Sequence, residues 1–282
     1  MRGVALGGGH GTAVALQALN LFCDDVTGIV SVADNGGSSG ELRRVLNIAA
    51  VGDLRRCLSA TGDPSRPLTS LLESRLGRGQ HPLGNLLLAM AVIEFGSLER
   101  AVTRVATMVG STVRLLPATG EKVDLRAETP SGTVNGQVDV HGRSDILTVS
   151  LVPHSPFVPP SVREALLDAD LIVAGPGSFF TSVLATLVVP GVLEAISASS
   201  ARFIFIANLR PEIPESVRLG LPGQLQALQE HGITPDVVLC DNQSDWRSVQ
   251  TAKPVVASLA DASGVAHDPH KIARALTALM AN

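Results

Sequence analysis

The 282-residue chain contains no tyrosine and one tryptophan, and its seven phenylalanines bring the aromatic share to only 3%. Stacking platforms for bases or sugars would have to come from those few rings or from His and Arg, so recognition is expected to rest on backbone amides. Cysteine is equally scarce. Cys23, Cys57 and Cys240 are odd in number and widely spaced, which fits neither a disulfide framework nor a Cys-x-x-Cys zinc knuckle and suits a reducing cytoplasm. Lys+Arg number 22 against 26 Asp+Glu, a net charge of -4. No long basic run exists, so a dedicated nucleic-acid surface is excluded, because that mode needs a clustered cationic footprint. The apolar start of the chain stops at Gly7, too short for a signal segment and far below the ~18 apolar residues that a membrane span needs. No membrane partner is expected. A G-K-[ST] P-loop is absent from the chain, and the dinucleotide pattern G-x-G-x-x-G fails from Gly7 because its last position is Thr12.

What the chain does have is apolar substance. Hydrophobic residues make up 45%, charged ones 17%, and mean hydropathy is +0.29, enough to bury an ordinary core and exclude wholesale disorder. Short runs rich in Val, Ile and Leu alternate with longer segments of helical period, the signature of βαβ units around a buried parallel sheet. Core strands are predicted at Gly3–Leu6, Val26–Val32, Leu171–Ala174, Phe203–Ala207, Val237–Leu239 and Val255–Ser258. Helices are predicted at Thr12–Leu21, Glu41–Leu46, Asp53–Leu58, Pro67–Arg75, Gly84–Phe95, Leu98–Val109, Val162–Leu167, Ser182–Ser197, Gly223–His231 and Pro269–Met280. Between about 111 and 151 the rhythm becomes two-residue alternation broken by turns. The expected architecture is one α/β domain over 1–282, Rossmann-like and doubly wound around a mostly parallel sheet, with a β-rich insertion at about 111–151 and a proline-rich linker at 153–160.

Four strands empty into polar or glycine-rich loops, and open α/β sheets bind ligands at such carboxyl ends. The first loop, Gly7-Gly8-Gly9-His10-Gly11-Thr12, opens a helix and offers unhindered amides to a phosphate at the positive helix end. A tight turn without ligand is the plainer alternative. The second, Asp34-Asn35-Gly36-Gly37-Ser38-Ser39-Gly40, begins with a carboxylate suited to Mg²⁺ or a ribose beside a phosphate cradle, although Asp-Asn-Gly is also ordinary turn chemistry. Gly36 to Gly40 also satisfies G-x-S-x-G, so a serine hydrolase with Ser38, Asp241 and His267 in that chain order is a competing reading. Asp53 is a helix cap or, with Asp34, a second ligand of one cation, and Arg55 and Arg56 stand within reach of phosphate oxygens.

His81 and Asn85, in His81-Pro82-Leu83-Gly84-Asn85-Leu86, are pocket donors or plain first-turn residues. The loop Gly175-Pro176-Gly177-Ser178, followed by Thr181, repeats the design of the first, and two such loops on one sheet imply a ligand with more than one anionic or polar end. A nucleoside diphosphate conjugate meets that demand. Asn208, at the end of another strand, reads a base or ribose or caps the strand end. Asp268 and Pro269 form an ordinary helix cap, leaving His267 and Lys271 as weaker pocket candidates. His141, His154 and His231 lack ligand spacing and read as surface residues.

Taken together, Leu6-Gly7-Gly8-Gly9, Val32 to Gly40, Gly52-Asp53-Leu54-Arg55, His81 to Leu86, Leu116-Pro117-Ala118-Thr119, Ala169 to Ser178 and His267-Asp268-Pro269 make the chain resemble the CofD-like superfamily, most closely its YvcK branch, the gluconeogenesis factors of bacteria. The resemblance implies a Rossmann-like fold, a cytoplasmic homodimer needed for cell shape on gluconeogenic carbon sources, and binding of a UDP-sugar such as UDP-N-acetylglucosamine. It also implies no tightly bound organic cofactor. A related phospholactate transferase uses the same scaffold with Mg²⁺, so a Mg-dependent transferase is the alternative to a nucleotide-sugar-binding regulator. The chain departs from the family pattern at His10, at Asn35 in place of an aspartate, at Phe179-Phe180, at Arg210 to Ser216 and at Gly223-Gln224.

Overall fold

A computed structural model describes residues 1–75, 81–242, 244, 246–249 and 252–281. Its centre is a seven-stranded sheet in which all pairs are parallel. In chain order the seven are β1 (Arg2–Gly7), β2 (Asp25–Val30), β3 (Arg114–Pro117) and, after an excursion, β7 (Leu171–Ala174), β8 (Arg202–Ile206), β9 (Val237–Asp241) and β10 (Lys253–Ala257). The excursion holds a three-stranded antiparallel sheet of β4 (Asp124–Thr129), β5 (Gly132–Asn135) and β6 (Thr148–Val152). The large sheet runs β10-β9-β8-β7-β1-β2-β3. The chain therefore fills one half outward from β1, returns to the centre, and fills the other half from β7. A crevice opens where the winding reverses, between the carboxyl ends of β1 and β7.

The sequence dictates these strands by burial on both faces. Val4, Leu6, Ile29, Val30 and all of Leu171–Ala174 are buried, so the strands read as continuous apolar runs rather than alternations. The first half carries helices α1 (Gly9–Leu19), α2 (Gly37–Leu46), α3 (Gly52–Thr61), α4 (Pro67–Leu71), α5 (Leu83–Phe95) and α6 (Leu98–Val109). The second part adds α7 (Gln137–His141), α8 (Pro160–Leu167), α9 (Ala185–Leu187), α10 (Pro190–Ala198), α11 (Gly220–Glu230) and α12 (Pro269–Met280). Helix α1 packs on α3 and α12, and α8 packs on α10. Caps agree with composition: Ser97 accepts the Arg100 N–H at the start of α6, and Gly110 ends it in the left-handed region at φ 65°. Asp268 accepts from His270 and Lys271 over the Pro269 start of α12.

Three expectations need correction. The run at 114–117, expected in the β-rich insertion, pairs in parallel with β2 and is an edge strand of the main sheet. Gly136, at φ 96°, turns the chain out of β5, so Gln137–His141 is helical rather than strand. The single helix expected over Ser182–Ser197 is a π-helix at Phe179–Leu184 running into α9, broken before α10 because Pro190 lacks an amide to continue the ladder. That pair bends by 68°, and among the described residues no single helix is long and apolar enough to cross a membrane. Buried Phe179 contacts Phe180 and Phe205 edge to face, with centroids 4.9 and 6.2 Å apart.

The loops after β1 and β7 meet backbone to backbone: a Cβ on Gly11 would stand closer than 3.0 Å to the Pro176 carbonyl. Alanine in a helix interior normally gains about 1 kcal/mol over glycine, but here the clash wins. Gly11→Ala is expected to lose about 1–3 kcal/mol in urea unfolding, as overpacked sites do. Gly120→Ala, which meets open space, should shift stability by less than about 1 kcal/mol.

Candidate functional site

A cavity of about 460 Å³ lies at the reversal point. Two helices begin on it without a side-chain cap. At α1 the N-cap is Gly8, extended at φ -150°, and at α2 it is Gly36, so first-turn amides that have no partner inside their own helix remain for a ligand anion. Gly9, at φ 65°, and Gly37, at φ 44°, take backbone shapes that a side chain would strain. Gly8, Gly9 and Gly11 line the cavity from β1, Gly36, Gly37, Ser38 and Ser39 from α2, and Gly177 and Ser178 from the β7 loop.

Asp34 and Asp53 face the same space. Asp34 Oδ1 accepts the Gly36 N–H at 2.9 Å, an Asx turn that fixes the carboxylate at the strand end. Asp53 is buried under the β1 loop, where Gly8 leaves no room for a Cβ against its Oδ2. Burial pushes the Asp53 carboxyl up to about 6, with the Asp34 charge adding to the rise and Arg56, 2.6 Å from Oδ1, opposing it. Among the described residues no group of three or more His, Cys, Asp or Glu is arranged to hold a metal. Two carboxylates nevertheless suit Mg²⁺, which takes one or two from protein and the rest from water and substrate phosphate.

Cationic groups ring the carboxylates. Arg55 and Arg56 project from α3, and Arg75 joins them on the wall. Arg55 Nη1 pairs with Glu73 Oε2 at 2.9 Å, while its buried Nε has no hydrogen-bond partner among the described residues. Desolvation lowers the Arg55 guanidinium from its ordinary value. His10, in the first turn of α1, is likewise held below the usual imidazole value, by burial first and by Arg56 second. Opposite, Glu212 Oε1 accepts the Ser178 hydroxyl at 2.7 Å, and burial raises its carboxyl.

Ser38 has partners that spacing did not reveal. Its Oγ lies 2.7 Å from His81 Nδ1 and accepts from Asn85 Nδ2 at 2.9 Å, and His81 Nε2 lies 3.5 Å from Glu41 Oε2. The hydrolase arrangement with Asp241 and His267 is not what the structure builds. Asp241 accepts the Leu259 and Ala260 amides, and the half-buried His267 sits against Ala207 and Asp241.

Several expected ligand groups are committed elsewhere. Thr12 donates back to the Gly8 carbonyl at 3.2 Å and is fully buried, and the Gly7 carbonyl accepts from Ser31 and Thr186. Asn35 Oδ1 accepts the Val138 N–H at the start of α7, so its amide faces the small sheet rather than the cavity. Asn208 brackets Gly177 with two bonds, accepting its N–H at 2.9 Å and donating to its carbonyl at 2.8 Å. Gly175 and Pro176 shape that loop from behind and do not line the cavity. Thr181 is occupied by Glu215, whose buried carboxylate accepts from the Phe180 N–H at 2.5 Å, the Thr181 N–H at 2.9 Å and the Thr181 hydroxyl at 2.8 Å, and pairs with His141 at 2.7 Å. An internal anion thus caps the π-helix.

His10, Arg75, Gln137, Ser182 and Glu212 line the cavity without having been singled out. Gln137 arrives with the small sheet, which Arg43 ties to the pocket loop. The buried Arg43 guanidinium donates to the carbonyls of Ala33, Asp34 and Val123 at 3.2, 3.1 and 2.7 Å and to Asp124 Oδ1 at 2.9 Å. His10 and Glu212 had a sequence signal, each standing at a departure from the family pattern.

Comparison with known proteins places this geometry in context. The profile of the family described as 2-phospho-L-lactate transferase CofD matches residues 4–281. A gluconeogenesis factor of Halalkalibacterium halodurans is 37% identical over 90% of this chain and 83% of its own length, and that of Bacillus subtilis is 35% identical over 80% of this chain and 73% of its own. A Deinococcus radiodurans protein that carries the same name provisionally is 36% identical over 99% of this chain, which spans 66% of that protein. A crystal structure of a UPF0052-family protein from Bacillus halodurans superposes with a TM-score of 0.91 at 30% identity, over 98% of both chains.

The raised Asp53 group makes stability depend on pH. Well below pH 4 the carboxyl is neutral folded and unfolded alike. As pH rises toward 6 the unfolded chain ionises first, and stability falls by about 1.4 kcal/mol for each pH unit climbed between the two ionisations. Asp53→Asn, which cannot ionise, should therefore gain on the wild type by up to about 3 kcal/mol between pH 4 and pH 8, measured by urea unfolding of both proteins at each pH.

Proposed function

This chain belongs to the CofD family, and we propose that it binds a nucleoside diphosphate sugar of the UDP-N-acetylglucosamine type and acts in the cytoplasm as a regulator that links carbon metabolism to cell-wall synthesis and cell shape. The similarity to gluconeogenesis factors supports the regulatory half of this reading. The observation that carries the ligand half is the cavity itself: two uncapped helix starts, three arginines and two carboxylates converge at the switch point of a doubly wound sheet. Helix-start amides and guanidinium groups suit the two phosphates, and about 460 Å³ lies within the size range of small-molecule sites.

Asp34 and Asp53 would hold Mg²⁺ against the diphosphate, and the ion would neutralise phosphate charge when bound. The same pair favours a second reading, a Mg-dependent transferase of the phospholactate type, because phosphoryl chemistry asks mostly for positioning and charge neutralisation. Calorimetric titration tests the first reading. UDP-N-acetylglucosamine should bind in the presence of Mg²⁺, and Asp34→Ala with Asp53→Ala should abolish the Mg²⁺ dependence. A clear preference for GDP would move the transferase ahead, and indifference to all nucleotides would overturn both.

A further inference from the structure

We propose that Ser38 is a nucleophile toward phosphorus, with His81 as its base and Glu41 orienting the imidazole. The proposal rests on the reading that the cavity holds a diphosphate. It starts from the register of α2, in which Ser38 and Glu41 stand three residues apart and share a helix face. The pattern S-x-x-E is also a helix-start signal, but the N-cap is Gly36 and its amide bonds are not supplied by Ser38. Both side chains are therefore available to His81, which reaches them from the turn before α5.

Asn85 Nδ2 donates into the Ser38 oxygen at 2.9 Å and leaves the serine proton free to go to His81 Nδ1, 2.7 Å away. The tautomer that lets His81 act as base carries its proton on Nε2, the atom 3.5 Å from Glu41 Oε2. A nucleophile, a base in hydrogen-bond reach and a third group that orients the base are the parts of an activated serine. Asn85 adds a second observation. It is 2% exposed, lines the cavity, and its Oδ1 is buried without a hydrogen-bond partner among the described residues.

The surroundings select the electrophile. Ser38 lies in the first turn of α2, where the helix dipole and the nearby Arg55 and Arg56 favour negative charge. A phosphoanhydride carries negative charge for that field to hold already in the bound state, whereas a neutral ester meets it only as charge develops in the transition state. In the step, the Oγ electron pair forms a bond to one phosphorus of the bound diphosphate and the hydroxyl proton passes to His81 Nδ1. The bridging P–O bond breaks, and its electron pair leaves on the other phosphate. The products are a phosphodiester on Ser38 and a free phosphate monoester.

A fluorophosphonate, itself a phosphorus electrophile, reads the nucleophile without any nucleotide. The full chain should be modified at Ser38, located by peptide mass spectrometry, faster than at the neighbouring Ser39 or at Ser178. Saturating UDP-N-acetylglucosamine with Mg²⁺ should protect it. His81→Gln should slow the reaction by about 10²-fold or more, the usual worth of a positioned base, and Glu41→Gln, on the exposed side, by a smaller factor with thermal unfolding unchanged. Equal reactivity of Ser38 and Ser39, or rates indifferent to both substitutions, would overturn the assignment. Chromatography of the nucleotide after incubation should show a monoester released by the wild type and not by Ser38→Ala. A fluorophosphonate-reactive Ser38 beside intact, calorimetrically bound nucleotide would sink the phosphoryl step, whereas a reactive Ser38 with no nucleotide binding would sink the ligand reading alone.

Discussion

The contact on which the rest depends is the backbone approach of two glycine loops across the centre of the sheet. Because Gly11 carries no side chain, the start of α1 can lie against the Pro176 carbonyl. Because Gly8 carries none, Asp53 can sit beneath the same turn. The cavity floor is thus made of main chain, and its charged walls are brought in by elements packed on that floor. Burial of Asp53 is a consequence, and so is its raised affinity for a proton. Short strands with no room for error on either side hold the two loops in register.

Much of this was legible because parallel strands buried on both faces leave a plain apolar trace. Leu171–Ala174, Leu98–Val109 and Pro269–Met280 keep the boundaries that hydrophobic runs and caps predict. Arg114–Pro117 did not, since a four-residue strand that is exposed at Arg114 and buried over the next three looks the same whether it pairs with β2 or with the small sheet. Period alone does not name a partner. The broken helix after β7 was missed for a different reason: Phe179–Leu187 are all buried, so they show no amphipathic phase that a break would shift, and Pro190 was the one mark of the break.

The candidate site divides along similar lines. Glycine loops announce themselves, and the first-turn amides of α1 and α2 stand where those loops predict. Side-chain pairings between distant segments do not. Ser38 and His81 are 43 positions apart, and neither residue type at that spacing distinguishes a bonded pair from two polar loop residues. Glu215 shows the converse. A helix start that looks open to an outside anion is already filled by a carboxylate from the chain itself, through a buried side chain that occupies the π-helix amides. Asn35 resolves a departure from the family pattern in the same way, for its amide serves α7 and leaves Asp34 as the carboxylate at that strand end.

Arg43 fastens the small sheet to the pocket loop mainly through main-chain carbonyls, those of Ala33, Asp34 and Val123. Carbonyls are supplied by every amino acid. The insertion can therefore drift in sequence over evolutionary time while its seat beside Asp34 stays where it is. Gln137 rides on that insertion and lines the cavity. Divergence there offers lineages a way to retune the molecule that enters without rebuilding the floor that receives it.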